Sequence, residues 1–163
     1  MNEMAKLADA FLKACAKREI LVATAESCTG GMIISLLTDI PGSSSMVDRG
    51  FVTYSNEAKM EMLGVSKATL DEHGAVSEQT ALEMAAGALD HSRAGIALAV
   101  TGVAGPDGGS EEKPVGLVWF GLAREGRRAI AERHIFENKG RDFIRRETAK
   151  TALLMGLKSL RED

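Results

Sequence analysis

The sequence predicts an α/β fold: a three-layer α/β/α sandwich built as a single domain around a mixed central sheet. Three observations lead there. Helically spaced apolar residues alternate with short continuous apolar runs along most of the chain. Two strand patterns near the C-terminus follow one another across a short turn, which adds an antiparallel hairpin to an otherwise parallel arrangement. The length of 163 residues, 45% hydrophobic and 26% charged, suits one compact core spanning residues 1–163 and is too apolar for a disordered chain.

In chain order, residues 2–18 carry an apolar stripe (Met4, Leu7, Ala8, Phe11, Leu12, Cys15) and read as a helix, with Cys15 a core thiol. Residues 20–24 form a short apolar strand. Residues 32–38 read as a helix stopped by the turn Pro41-Gly42-Ser43-Ser44-Ser45. A second strand is expected at 47–53, then helices at 56–63 and 67–72, with Ser55 capping the first and Gly64 and Gly74 ending them. Ser77 can cap a longer helix through residue 94, whose small face (Ala81, Ala85, Ala88) permits close approach to a sheet. Residues 96–101 read as a buried strand. Residues 102–114 hold four of the seventeen glycines and two of the three prolines, so an irregular loop is expected. Strands at 115–123 and 129–136 turn at Arg124-Glu125-Gly126, and residues 141–160 close the fold as an amphipathic helix.

A formal charge of −3 lacks the basic excess needed to neutralise nucleic-acid phosphates, so nucleic acid is not the expected partner. No apolar run reaches the ~18–20 residues that span a bilayer, and the charged N-terminus is unlike a signal peptide, so no membrane partner and a cytoplasmic location are expected. Two cysteines make no disulfide framework, and no Cys/His spacing matches a zinc site.

Polar clusters follow three predicted strands, at residues 26–31, 54–59 and 101–109. Ligands of open α/β sheets collect beyond the carboxyl ends of strands, so the three can share one pocket. Ser27, at a strand-to-helix turn before Gly30 and Gly31, can be an exposed nucleophile with backbone N–H groups beside it, or simply a helix cap. His73, His91 and His134 lie away from these clusters, leaving Lys59 as a candidate base and Tyr54 as a residue able to relay its proton or orient it. The bland readings are a solvated helix lysine and a strand-end tyrosine. A base role demands burial or a nearby cation, because an ordinary lysine has a pKa of ~10.4. Cys28 is a rival nucleophile, since a helix N-terminus can lower a thiol's pKa. Arg141, Arg145 and Arg146 begin the last helix, where the macrodipole disfavours cations; a bound phosphate, or pairing with Asp142 and Glu147, would account for them.

Taken together, Ala25-Glu26-Ser27-Cys28-Thr29-Gly30-Gly31, the run from Gly50 to Lys59, Gly74-Ala75-Val76-Ser77 and the run from Thr101 to Gly109 closely resemble the CinA C-terminal-domain family. The family takes its name from competence- and damage-inducible proteins, and its enzymatic members are nicotinamide-nucleotide amidohydrolases of pyridine nucleotide salvage. The resemblance implies hydrolysis of nicotinamide mononucleotide to nicotinate mononucleotide and ammonia, with no metal or other cofactor. It implies Ser27 as nucleophile, Lys59 as general base in a Ser-Lys dyad and Tyr54 as an assisting residue. Substrate contacts are expected from Thr29, Gly30 and Gly31 as the oxyanion site, from Thr101, Gly102 and Gly105, and from Arg145 toward the phosphate. The alternative is a non-catalytic nucleotide-binding or regulatory module. The expected partner is a small nucleotide, and the alanine-rich helix suggests a homo-oligomer, a dimer in its simplest form.

Overall fold

The computed structural model describes the whole chain, Met1–Asp163. Its strands are β1 (Val22–Glu26), β2 (Val47–Val52), β3 (Ile96–Gly102), β4 (Leu117–Arg124) and β5 (Ile130–Ile135). Its helices are α1 (Glu3–Lys17), α2 (Met32–Thr38), α3 (Asn56–Leu63), α4 (Lys67–His73), α5 (Glu78–Asp90) and α6 (Arg141–Arg161). The sheet order is β2-β1-β3-β4-β5. β1 pairs in parallel with β2 and β3, whereas β3–β4 and β4–β5 are antiparallel, so the sheet is mixed as expected. No helix is long and apolar enough to cross a membrane.

Burial explains the strand patterns. Every residue of β1 is buried, as is nearly all of β3 and β4, because both faces of these central strands are covered; the edge strands β2 and β5 are largely exposed or half-buried. One face packs α1, α2 and α6 in a core that includes Phe11, Ile33, Leu98, Phe120, Ile144 and Leu153. The other packs α3, α4 and α5 through Leu63, Val65, Leu70, Met84, Ala85 and Ala97. Ala81, Ala85 and Ala88 are fully buried, and α5 lies so close to β4 that a Cβ on Gly121 would sit 2.3 Å from the Ala81 carbonyl oxygen.

Two boundaries and the burial of one helix differ most from the sequence reading. β1 runs two residues later, from Val22 through Glu26, because that carboxylate is buried inside the fold rather than turned to solvent. α5 stops at Asp90, four residues early, where the His91 ring bonds the Gly87 carbonyl at 2.8 Å. α6 buries Ile144, Thr148, Ala152, Leu153, Gly156, Leu157 and Leu160, an arc too wide for a single amphipathic stripe. It is wedged against both α1 and the sheet, with Phe11 and Leu98 touching the backbone at Gly156.

Candidate active site

The carboxyl ends of β1, β2 and β3 bring the three polar clusters together. A cleft of about 210 Å³ opens there, lined by Ser27, Cys28, Tyr54, Lys59, Thr101, Gly102 and Arg141 among others.

The serine is held from both sides of its own strand. The N–H of Ser27 donates to the Val100 carbonyl at 3.1 Å, and the N–H of Thr53 donates to the Glu26 carbonyl at 2.9 Å, so neighbouring strands fix the backbone on either flank. The Glu26 side chain turns to the α2 face. Its carboxylate oxygens accept from the N–H groups of Ile33 (2.9 Å) and Ile34 (3.0 Å) and from the Thr29 hydroxyl (2.5 Å). A carboxylate under a helix N-terminus satisfies orphan amides and complements the dipole. Here it ties the loop after Ser27 to α2, whose cap, Gly31, has no side chain for the task.

Lys59 approaches from α3. Ser55 caps that helix by accepting from the Ala58 N–H at 3.0 Å, a bond typically worth ~1 kcal/mol, and so sets where Lys59 falls one turn later. Lys59 is only 1% exposed. Its Nζ donates to the Thr53 carbonyl at 2.8 Å and the Tyr54 carbonyl at 3.3 Å, and lies 2.9 Å from Ser27 Oγ. No carboxylate pairs with it. Burial therefore pushes its pKa down from 10.5 to about 8, only partly opposed by the neighbouring Cys28. A neutral amine in this position offers two N–H bonds to the two carbonyls and its lone pair to the serine hydroxyl, which is the arrangement a general base requires. Burial acts the other way on Cys28, 6% exposed, raising its thiol to about 11; the helix start does not activate it.

Several expected contacts are relocated. The N–H of Gly30 is committed to the Ser27 carbonyl at 3.1 Å, leaving the N–H groups of Cys28, Thr29 and Gly31 without a backbone acceptor. The Thr29 hydroxyl belongs to Glu26, and Thr29, Gly30 and Gly31 do not line the cleft. Thr101 and Gly102 do line it, although the Thr101 hydroxyl donates to the Ala75 carbonyl at 2.8 Å. Gly105 stands behind the rim: its φ of +79° and a Val115 methyl 2.7 Å from where a Cβ would lie demand glycine, and its carbonyl accepts from Arg141. Tyr54 is 64% exposed, and its hydroxyl accepts from Arg141 Nη2 at 3.2 Å; only its backbone reaches Lys59, so the phenol neither relays the lysine's proton nor orients it.

Arg145 lies outside the cleft. Its Nε and Nη2 donate to the carbonyls of Cys28 (3.0 Å) and Thr29 (2.9 Å), clamping the serine loop to α6. Arg141, one turn earlier, is the arginine in the cleft wall. The anticipated pairing of Asp142 with Arg146 does not form, and Arg141 and Arg145 are held by carbonyl oxygens across the fold. Glu26 and Arg141 are thus the residues to which sequence reasoning assigned too little. The signals were a carboxylate at the end of an apolar strand and an arginine as the first residue of a helix.

The family described as the CinA C-terminal domain matches residues 4–160. The chain is 51% identical over 152 residues to "Nicotinamide-nucleotide amidohydrolase PncC" of Escherichia coli (strain K12), covering 93% of this chain and 92% of that protein. It is 61% identical over 107 residues to "Putative competence-damage inducible protein" of Caldicellulosiruptor bescii, covering 66% of this chain and 26% of that longer protein. Among solved structures, the competence/damage inducible protein CihA from Agrobacterium tumefaciens superposes with a TM-score of 0.94 at 50% identity, over 99% of this chain and 97% of that one.

Proposed function

This chain belongs to the CinA C-terminal domain family, and from that membership we propose that it is an amidohydrolase that converts nicotinamide mononucleotide to nicotinate mononucleotide and ammonia. Its relatives named nicotinamide-nucleotide amidohydrolase supply the substrate class. The observation that carries the reading is the 2.9 Å contact between Ser27 Oγ and the amine of Lys59, buried without a carboxylate partner. A non-catalytic binder has no use for so unfavourable a placement of a lysine.

In the reaction, Lys59 accepts the Ser27 proton as Oγ attacks the carboxamide carbon. The N–H of Cys28, a cleft-lining residue without a backbone acceptor, is the donor assigned to the oxyanion, such a donor being worth ~3–4 kcal/mol. The Lys59 ammonium, still held by the Thr53 and Tyr54 carbonyls, passes its proton to the departing amine, and ammonia leaves an ester on Ser27. Water then attacks the ester, giving a proton to Lys59, and Ser27 Oγ recovers it as nicotinate mononucleotide departs. At about 210 Å³ the cleft accommodates the pyridine ring and not a whole nucleotide, since pockets for drug-sized ligands run ~300–1,000 Å³. The ribose and phosphate therefore extend over the rim, where Arg141 and the Tyr54 hydroxyl stand together. Arg141, not Arg145, is the phosphate contact in this reading.

Incubation with nicotinamide mononucleotide, without added metal, tests the proposal by release of ammonia and nicotinate mononucleotide in equal amounts. Unchanged substrate at high protein concentration would favour the binding module.

A further inference from the structure

The end of the sheet opposite the dyad carries a second cavity, of about 330 Å³, to which the proposed reaction assigns no role. Its wall holds four cations, Arg124, Arg127, Arg128 and Lys158, against two carboxylates, Glu132 and Glu162, with Leu122, Ile130 and Met155 as its apolar part. The positive excess is only partly used. Arg124, 9% exposed, donates from Nη1 and Nη2 to the two carboxylate oxygens of Asp163, both at 2.7 Å. Arg127 adds a bond at 2.7 Å and Arg18 one at 3.0 Å. Three guanidiniums thus converge on a single carboxylate, which they hold far below the usual carboxylate range. Arg128 and Lys158 have no carboxylate within salt-bridge distance.

A bidentate guanidinium with two further arginines around one oxyanion is the geometry that also receives phosphate. Asp163 lies two residues beyond the end of α6, so its side chain can leave without unwinding the helix. A phosphate monoester carries nearly two charges near neutrality and three acceptor oxygens, against one charge and two oxygens for the resident carboxylate. The two unpaired cations stand ready for the added charge.

We propose that this cavity is a second binding site for a small phosphate-bearing molecule, separate from the catalytic cleft, in which Arg124 and Arg127 of the wall exchange their bonds to Asp163, which lies beside the cavity, for bonds to the ligand's phosphate. The phosphate would sit among Arg124, Arg127, Arg128 and Lys158, and a flat ring attached to it would lie on Leu122, Ile130 and Met155.

Calorimetric titration tests this with two probes: inorganic pyrophosphate, which has no ring, and adenosine monophosphate, which has one. Saturable binding is expected in the unaltered protein and in Arg141→Ala, which removes the cation of the catalytic cleft. The double variant Arg128→Ala/Lys158→Ala alters two exposed side chains and should weaken binding at least tenfold with an unchanged melting temperature. Asp163→Asn removes the internal competitor's charge and should tighten it severalfold. Tighter binding of the adenosine probe assigns the apolar wall to a ring, and tighter binding of pyrophosphate restricts the site to the phosphate alone. No saturable binding even in Asp163→Asn, or binding lost in Arg141→Ala and kept in the double variant, overturns the proposal.

Discussion

Glu26 and Ser27 are adjacent in sequence but serve opposite faces of the sheet, and the two faces treat buried polar groups differently. Beneath α2, the Glu26 carboxylate is surrounded by donors: two helix N–H groups and a threonine hydroxyl. That face is electrostatically satisfied, and its work is to hold. Beneath α3, Lys59 is equally buried but meets only two carbonyls and a neutral hydroxyl. No anion balances its charge, so the proton is loosely kept. Burial with full compensation gives a fixed scaffold, whereas burial with incomplete compensation gives a group ready to exchange a proton.

The sharpest break of this comparison removes one member from each side. Ser27→Ala and Lys59→Met should each lower kcat/KM for nicotinamide mononucleotide by three or more orders of magnitude in an ammonia-release assay, on the scale of losing an activated nucleophile or its base. Their folding should diverge from that of Glu26→Ala. That variant orphans two buried donors and one half-buried one, at about 1–3 kcal/mol for each buried donor, and should lose several kcal/mol in denaturant unfolding. Lys59→Met instead relieves a buried amine. The folded pKa of Lys59, about 8, lies below its unfolded value, so between the two the unfolded chain binds more protons and stability rises with pH. The penalty is therefore fully present below about pH 8. Lys59→Met should raise the melting temperature at pH 7 and lose that advantage by pH 10.5; a variant less stable than the parent at pH 7 would contradict the account.

Under the proposed mechanism the same proton governs rate. With a pKa of about 8, roughly one Lys59 in ten is neutral at pH 7 and one in a thousand at pH 5. A plot of kcat/KM should then fall about tenfold per pH unit below 8, and a profile flat down to pH 5 would rule out Lys59 as the base. Smaller effects belong to the rim. Arg141→Ala should raise KM for the nucleotide by about ten- to a hundredfold while sparing the riboside, as expected for loss of a charge-assisted phosphate contact worth roughly 1.5–3 kcal/mol. Cys28→Ala should change kcat less than threefold, because burial holds that thiol protonated. A collapse there would restore the cysteine as nucleophile.

The strand-helix alternation was legible because buried central strands read as apolar runs, and because glycines and serine caps mark ends that depend on local geometry: Ser55, Gly64, Gly74 and Ser77 stand at helix termini. The meeting of Ser27 and Lys59 was legible too, through the polar clusters after strands, the distance of the histidines and the family motifs. The side-chain partners were not. Glu26 stood in the polar cluster after its strand until α2 folded over it, and Arg145 was assigned to a phosphate, whereas it donates to the Cys28 and Thr29 carbonyls. Tyr54 was rightly placed beside the site, yet its hydroxyl faces Arg141.

The elements were legible along the chain, since propensity, capping and apolar period act over a few neighbouring residues. Only the tertiary structure decided which polar residues are spent on the scaffold and which remain reactive. Hydrogen-bond partners 32 residues apart, as for Lys59 and Ser27, or 117 apart, as for Arg145 and Cys28, depend on how layers pack, and the depressed pKa of Lys59 exists only once that packing excludes water.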